Sequence, residues 1–240
     1  MLNSIDHVVY LCRDIAETAE ALQGLLGATS PMEPDWLTVD DDGIWTAEFR
    51  FPGGAIELVA ASHSAADPQR TCPGLLSKVE ASGPGFKSLV FGTADLEGAH
   101  EQLTAAGLEP DAIASSEAQH FTTGEQRAWR RFRCPDQHLH GLKVFVIERA
   151  EAPRVSPGTP TLTSIGLSTA DSARARDLFA GKLGLEVTPH SETAAMHVHL
   201  GLLDLIIGQR AAQADGTAEP DRIDRAARRL PAGTSVGFGA

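Results

Sequence analysis

Apolar positions along the chain fall into two kinds of block, and the blocks follow one another in the same order three times. Ile5-Asp6-His7-Val8-Val9-Tyr10-Leu11-Cys12-Arg13-Asp14 is a short β-prone run ending at an aspartate. Phe86-Lys87-Ser88-Leu89-Val90-Phe91-Gly92-Thr93-Ala94-Asp95 and Thr163-Ser164-Ile165-Gly166-Leu167-Ser168-Thr169-Ala170-Asp171 have the same form. Behind each aspartate the apolar residues switch to helical spacing. They are Ile15, Ala19, Leu22 and Leu26 in the first block, Leu96, Ala99, Leu103 and Ala106 in the second, and Ala175, Leu178, Phe179 and Leu183 in the third. Aspartate is a good N-cap because its carboxylate accepts the free N–H groups of the first turn. Glycine, which tolerates the left-handed conformation that closes a helix, follows at Gly27, Gly107 and Gly184. The Asp-to-Gly distances are 13, 12 and 13 residues, so three helices of nearly equal length are predicted.

Strand signals come after each helix. In the first repeat, Trp45 to Phe51 alternates, Pro52-Gly53-Gly54 turns the chain, and Ala55-Ile56-Glu57-Leu58-Val59 runs back, which is a hairpin signature. In the second, Ala128 to Arg133 leads to a turn at Cys134-Pro135-Asp136-Gln137 and a returning strand at 138–147. In the third, Ala195 to Leu200 passes through Gly201 into Leu202 to Ile207. Strand, helix, then a group of strands gives a βαβββ unit three times, with spacings of 81 and 76 residues between the capping aspartates. Thr234-Ser235-Val236-Gly237-Phe238-Gly239-Ala240 echoes 163–169 behind an expected helix at 221–230, and reads as the first strand of an incomplete fourth unit. The predicted fold class is therefore α+β, built from tandem βαβββ units.

Linkers are expected at 61–74, 150–160 and 211–220, and the Pro-, Gly- and Ser-rich stretch near 152–160 is the best boundary. The expected domains are residues 1–150, with units at 1–62 and 84–149, and residues 160–240, joined by a linker at 151–159.

A formal charge of −12, not confined to a tail, argues against nucleic acid or an anionic membrane as the main partner. Cys12, Cys72 and Cys134 stand far apart, which reads as a reducing compartment without a disulfide framework. No run approaches the ~20 apolar residues of a membrane span, and the first residues lack the pattern of a signal peptide. The cytoplasm is the default expectation. There is no GxSxG, no P-loop and no GxGxxG behind a strand.

Taken together, Ile5-Asp6-His7-Val8-Val9, the helix ending Leu25-Leu26-Gly27, the turn Phe51-Pro52-Gly53-Gly54 and Ile56-Glu57-Leu58 resemble the vicinal oxygen chelate superfamily, and within it the glyoxalase-like domain proteins. The resemblance covers 1–62 well, and 84–149 and 160–208 more loosely. It implies that two βαβββ units pair into a cup-shaped mixed sheet, leaving a third unit and the start of a fourth. It further implies a divalent metal in the cup, held by the first and last strands of each unit, which chelates two neighbouring oxygens of a small substrate.

Carried over position by position, the resemblance makes His7, seven residues before Asp14, and Glu57, five after Pro52, the ligands of the first unit. In the second unit the matching positions are Ser88, where the usual histidine is missing, and His140. Two histidines and a carboxylate suit Fe, and Mn, Zn or Ni also fill such a site. Glu57 is the candidate proton carrier. His138 shares a strand face with His140 and is the alternative third ligand. Ser88, Arg131, Arg133, His138 and His120 are the candidate substrate-binding residues, the arginines for a substrate carboxylate. The expected activity is that of a metal-dependent lyase, isomerase or dioxygenase, and the alternative is a metal-free protein that sequesters a small molecule; a homodimer is left open. Each residue also has a plainer reading: a hydrogen-bonded strand histidine for His7, a solvent-facing or cation-paired carboxylate for Glu57, a solvated β-face for the arginines. The third unit, with Ser164 and Asp204 at its two positions, is expected to hold no metal, and His197 and His199 to serve a surface or inter-unit role. Tyr10, Trp45 and Cys12 are assigned to core packing.

Overall fold

A computed structural model gives the fold, and describes residues 2–26, 36–39, 44–61, 73–119, 123–135, 139, 142–151, 155, 157–169, 171–189, 195–209 and 234–239. The first unit runs β1 (Ser4–Cys12), α1 (Ile15–Leu26), β2 (Trp36–Val39), β3 (Trp45–Phe51) and β4 (Gly54–Ala60). A helix absent from the sequence reading, α2 (Pro73–Ser82), precedes the second unit. That unit is β5 (Gly85–Gly92), α3 (Leu96–Ala105), β6 (Ala114–Gln119), β7 (Gln126–Cys134) and β8 (Lys143–Arg149). The third is β9 (Thr161–Thr169), α4 (Ser172–Arg176) running on as a π-helical turn over Asp177–Lys182, then β10 (Val187–Pro189), β11 (Met196–Leu200) and β12 (Leu203–Gln209). β13 (Thr234–Gly239) comes last.

The capping aspartates act as expected in all three predicted helices, while Gly27, the expected close of the first, lies outside the described residues. Asp14 accepts from the Glu17 N–H (2.9 Å), Asp95 from Gly98 (2.9 Å) and Asp171 from Ala173 and Arg174 (both 3.0 Å). Gly107 and Gly184 sit at φ +77° and +66°, where a side chain would be strained.

Two sheets result. Eight strands in the order β2-β3-β4-β1-β5-β8-β7-β6 form the first, and β10-β11-β12-β9-β13 form the second. The first sheet is two copies of one arrangement joined back to back. In each half the first strand lies parallel to the last (β1 with β4, β5 with β8), and the halves meet where β1 runs antiparallel to β5. In the second sheet β9 lies parallel to β12 and antiparallel to β13, so β13 stands to β9 as β5 stands to β1.

Alternation decides which side of each strand is buried under the helices. Trp45, Ala47, Phe49, Leu58, Leu89, Phe91, Val144 and Val146 face the core, joined there by Leu96, Leu103 and Leu108. Tyr10 packs edge-on to Phe86 at 5.2 Å, and both Trp45 and Cys12 are buried, as the pattern predicts. In the second sheet Met196, Val198, Leu200, Leu203, Leu205 and Ile207 bury against Leu178 and Phe179. The sheets touch where the β3–β4 turn meets β9, with the Leu162 N–H donating to the Pro52 carbonyl at 2.9 Å. No described helix is long and apolar enough to cross a membrane.

Candidate functional site

The face of the first sheet opposite the helices curls into a cleft lined by His7, Val9, Thr46, Glu48, Glu57, Val90, Ala118, Arg127, Trp129, Arg131, Phe145, Ile147 and Arg149. Its free space is about 80 Å³. Two walls differ in charge. β1, β3 and β4 contribute His7, Glu48 and Glu57, whereas β7 and β8 contribute Arg127, Trp129, Arg131, Phe145 and Arg149.

His7 and Glu57 come together because β1 and β4 are neighbouring parallel strands, with Val9 beside Glu57 in register. His7 Nε2 lies 3.3 Å from Glu57 Oε2, and His7 Nδ1 donates to Asp6 Oδ1 at 2.6 Å. His7 is 7% exposed. Asp6 is held in turn by Arg149, whose Nε and Nη2 donate to it at 2.9 and 2.7 Å, and by Arg50 Nη2 at 3.4 Å. Glu48 accepts from Arg50 through both Nε (2.5 Å) and Nη2, and from Arg149 Nη2 at 3.4 Å. Glu48 and Arg50 are both buried.

Three carboxylates (Asp6, Glu48, Glu57) thus surround two guanidiniums (Arg50, Arg149), and one proton on His7 brings the group to neutrality. Burial by itself disfavours the imidazolium. The Glu57 charge and the Asp6 hydrogen bond outweigh it and push His7 up to about 9. Burial likewise opposes the charge on Asp6, but its bonds from His7 and Arg149 hold it far below the usual carboxylate range. Glu48 is lowered by Arg50 and Arg149 against the same penalty.

Ligand atoms each about 2.1 Å from one ion lie about 3.0–3.4 Å apart. The His7–Glu57 separation of 3.3 Å fits that spacing, and the Asp6 carboxylate on the other ring nitrogen is the outer partner that orients a metal-binding imidazole. Two donors therefore suit a divalent cation among the described residues. His140, His138 and His120 lie outside them. The register adds a point that counting from the turn proline does not reach. Val90 stands two residues beyond Ser88, as Val9 stands two beyond His7, and Val90 pairs with Phe145 as Val9 pairs with Glu57. Phe145 is thus the β8 counterpart of Glu57. The two countings differ by five residues because β8 opens at Lys143, well after β7 ends, whereas β4 opens three residues after the end of β3.

Of the expected substrate-binding residues, Arg131 lines the cleft, its guanidinium 5.6 Å from the Phe145 ring centroid. Arg133 lies outside the lining, half exposed, with Nε 3.7 Å from Asp111. Ser88 is partly buried on β5, and its strand reaches the cleft through Val90. Arg130 points away, paired with Glu97 and Glu148. Sequence alone does not single out Asp6, Glu48, Arg50, Arg127 and Arg149. The alternation Thr46-Glu48-Arg50 does mark one polar face of β3, but a cup interior and open solvent leave the same mark.

The third unit departs from expectation. The register that pairs Val9 with Glu57 pairs Gly166 with Ile206, so Ile206 and not Asp204 is the last-strand counterpart. Asp204 nonetheless meets His197 and His199, and the three offer donor atoms within 4.8 Å of one another.

Comparison with known proteins agrees with this architecture. A family described as "Glyoxalase-like domain" matches residues 5–183. A hypothetical protein from Staphylococcus aureus shares the fold with a TM-score of 0.65 at 10% identity, over 87% of each chain. Methylmalonyl-CoA epimerase from Mycobacterium tuberculosis aligns with a TM-score of 0.47 at 21% identity, over 62% of this chain and 91% of the other. The Streptomyces coelicolor methylmalonyl-CoA epimerase aligns with a TM-score of 0.45 at 19% identity, over 63% and 100%. Among curated protein sequences none matches. Tandem βαβββ units, a paired cup and a family match over most of the chain lead to one conclusion: this chain belongs to the glyoxalase-like domain family of the vicinal oxygen chelate superfamily.

Proposed function

We propose that the first cup is the active site of an enzyme that moves a proton on a small, anionic, oxygenated substrate. The carrying observation is the 3.3 Å approach of His7 Nε2 to Glu57 Oε2, in a cleft whose opposite wall presents Arg127 and Arg131. A substrate carboxylate or phosphate docks against the guanidiniums, with Trp129 and Phe145 beside it. That orientation turns its carbonyl or hydroxyl-bearing carbon towards Glu57. Glu57 is the proton carrier, because its side chain is 24% exposed and reaches the cleft, whereas Asp6 and Glu48 are tied up by arginines. His7, clamped by Asp6, holds a proton beside the oxygen on which charge develops.

A divalent cation would fit His7 Nε2 and Glu57 in place of the His7 proton, with His140, or His138, as the third donor expected from the sequence, and would then supply Lewis-acid stabilisation of a substrate oxygen. The lyase, isomerase and dioxygenase chemistries of such sites diverge after the first proton or electron shift; the Glu57 placement favours proton transfer. Residence in the cytoplasm accords with this reading.

The test is solvent deuterium incorporation, monitored by proton NMR, into a panel of small 2-oxo and 2-hydroxy carboxylates, with and without added Zn, Mn, Ni or Fe(II). Exchange by the parent chain that Glu57→Gln abolishes is the expected outcome. Exchange that is equal in both, or absent throughout, sinks the proposal. A second reading is favoured by Ser88 and Phe145, which leave the second unit's two counterpart positions without a strong ligand: a metal-free protein that binds the same class of anion. It predicts stoichiometric binding without turnover or metal.

A further inference from the structure

Outside the first cup, one group of side chains on the second sheet has the composition and spacing of a coordination site. β11 is anchored by Met196, Val198 and Leu200, all buried against the helix side. Alternation then sends His197 and His199 to the opposite, open face. β12 buries Leu203, Leu205 and Ile207 and presents Asp204 on that same open face. The hairpin register sets His199 directly across from Asp204, and His197 across from Ile206. The turn between the strands is tight, with Gly201 at φ +67°, so the pairing has little freedom to slip.

The contacts agree with that register. His199 Nδ1 lies 2.7 Å and His197 Nε2 2.9 Å from the same oxygen, Asp204 Oδ1. The two rings stand nearly perpendicular, at 79°, with centroids 6.4 Å apart. Two imidazole nitrogens thus converge on one carboxylate oxygen from the open face of a register-locked hairpin. The positions are not those of His7 and Glu57. His197 and His199 occupy the strand places that Glu48 and Arg50 hold on β3, and Asp204 the place of Ala55 on β4. Where the first unit sets a buried ion pair, the third sets nitrogen donors, partly open to solvent.

The geometry points to a second metal site, formed by His197 Nε2, His199 Nδ1 and Asp204, that takes a borderline divalent cation such as Zn2+, Ni2+ or Cu2+. Imidazole with one carboxylate selects these ions over Mg2+ or Ca2+, which prefer all-oxygen shells. Three protein ligands leave a coordination position for water or a ligand. Ligand separations of about 3.0–3.4 Å require the two contacts to Asp204 to open by tenths of an ångström, and the two imidazole nitrogens already lie within 4.8 Å of each other. The site is independent of the function proposed for the first cup.

His199 is 72% exposed at its side chain, so His199→Gln removes a donor without touching the core. The full-length parent and H199Q are titrated with Zn2+ by calorimetry, and the imidazole C–H signals are tracked by NMR. The expected result is one equivalent fewer bound by H199Q, together with Zn2+-dependent shifts of two parent imidazoles that vanish in H199Q and in Asp204→Asn. The first cup does not contain these residues, so any equivalent it binds persists in both variants. Equal stoichiometry in parent and H199Q, or no uptake by either, overturns the assignment.

Discussion

At the scale of single residues, the charge around His7 is the feature with measurable consequences. Arg149 bonds Asp6 and Glu48, two carboxylates with little access to water. Arg149→Met leaves both short of a partner, and breaking such a pair costs about 3–5 kcal/mol. The urea midpoint is expected to fall accordingly, and a loss below about 1 kcal/mol would mean that solvent reaches the network. His7 sets a pH limb. Its proton is held to about 9 in the folded chain, whereas an unfolded histidine titrates near about 6.5. The contribution is therefore complete below about pH 6.5 and is lost as pH rises towards 9. Stability of the metal-free chain should decline across that window, and His7→Gln should flatten the decline. At the acid end the depressed Asp6 works in the opposite sense: its contribution is present above about pH 4 and lost below it.

At the scale of elements, β8 shows how much the register decides. Phe145 stands where the last-strand carboxylate stands in the first unit, so Phe145→His should add a nitrogen donor to the cup floor and tighten Zn2+ binding. Calorimetry on F145H checks this; unchanged affinity would mean that β8 does not face the His7–Glu57 pair. The same strand marks the limit of what sequence can tell. Helices α1, α3 and α4 are legible because a capping aspartate and a closing glycine bracket an apolar stripe. β3, β4, β9, β11 and β12 are legible from alternation. β6 is not, since Ala114–Gln119 carries no apolar alternation, and α2 is not, since its residues form no strong stripe. Convergence of His7 with Glu57 comes from family resemblance and not from spacing, because parallel pairing of β1 with β4 is a tertiary fact. The arginine–carboxylate lattice stays hidden for a related reason: Glu48 and Arg50 look solvated until the sheet is closed over them.

At the scale of the whole molecule, the β3–β4 turn links the two sheets. Gly53 has φ +98° and lies against the Leu162 carbonyl, next to the Leu162 bond to Pro52. A methyl group there is strained in conformation and collides with backbone. Gly53→Ala is expected to cost about 1–3 kcal/mol and to loosen the junction, seen in calorimetry as a broadened or split unfolding transition. A single sharp transition at the parent temperature would show that the junction carries no coupling.

The unlike walls of the first cup have one more effect. A symmetric vessel would accept a short polar molecule either way round. Here a molecule entering tail-first carries its negative end to carboxylates already matched by His7, Arg50 and Arg149, and leaves Arg127 and Arg131 facing its neutral end. On the proposed function, the end-to-end orientation of the substrate, and with it the carbon offered to Glu57, is then selected at entry, before any bond is touched.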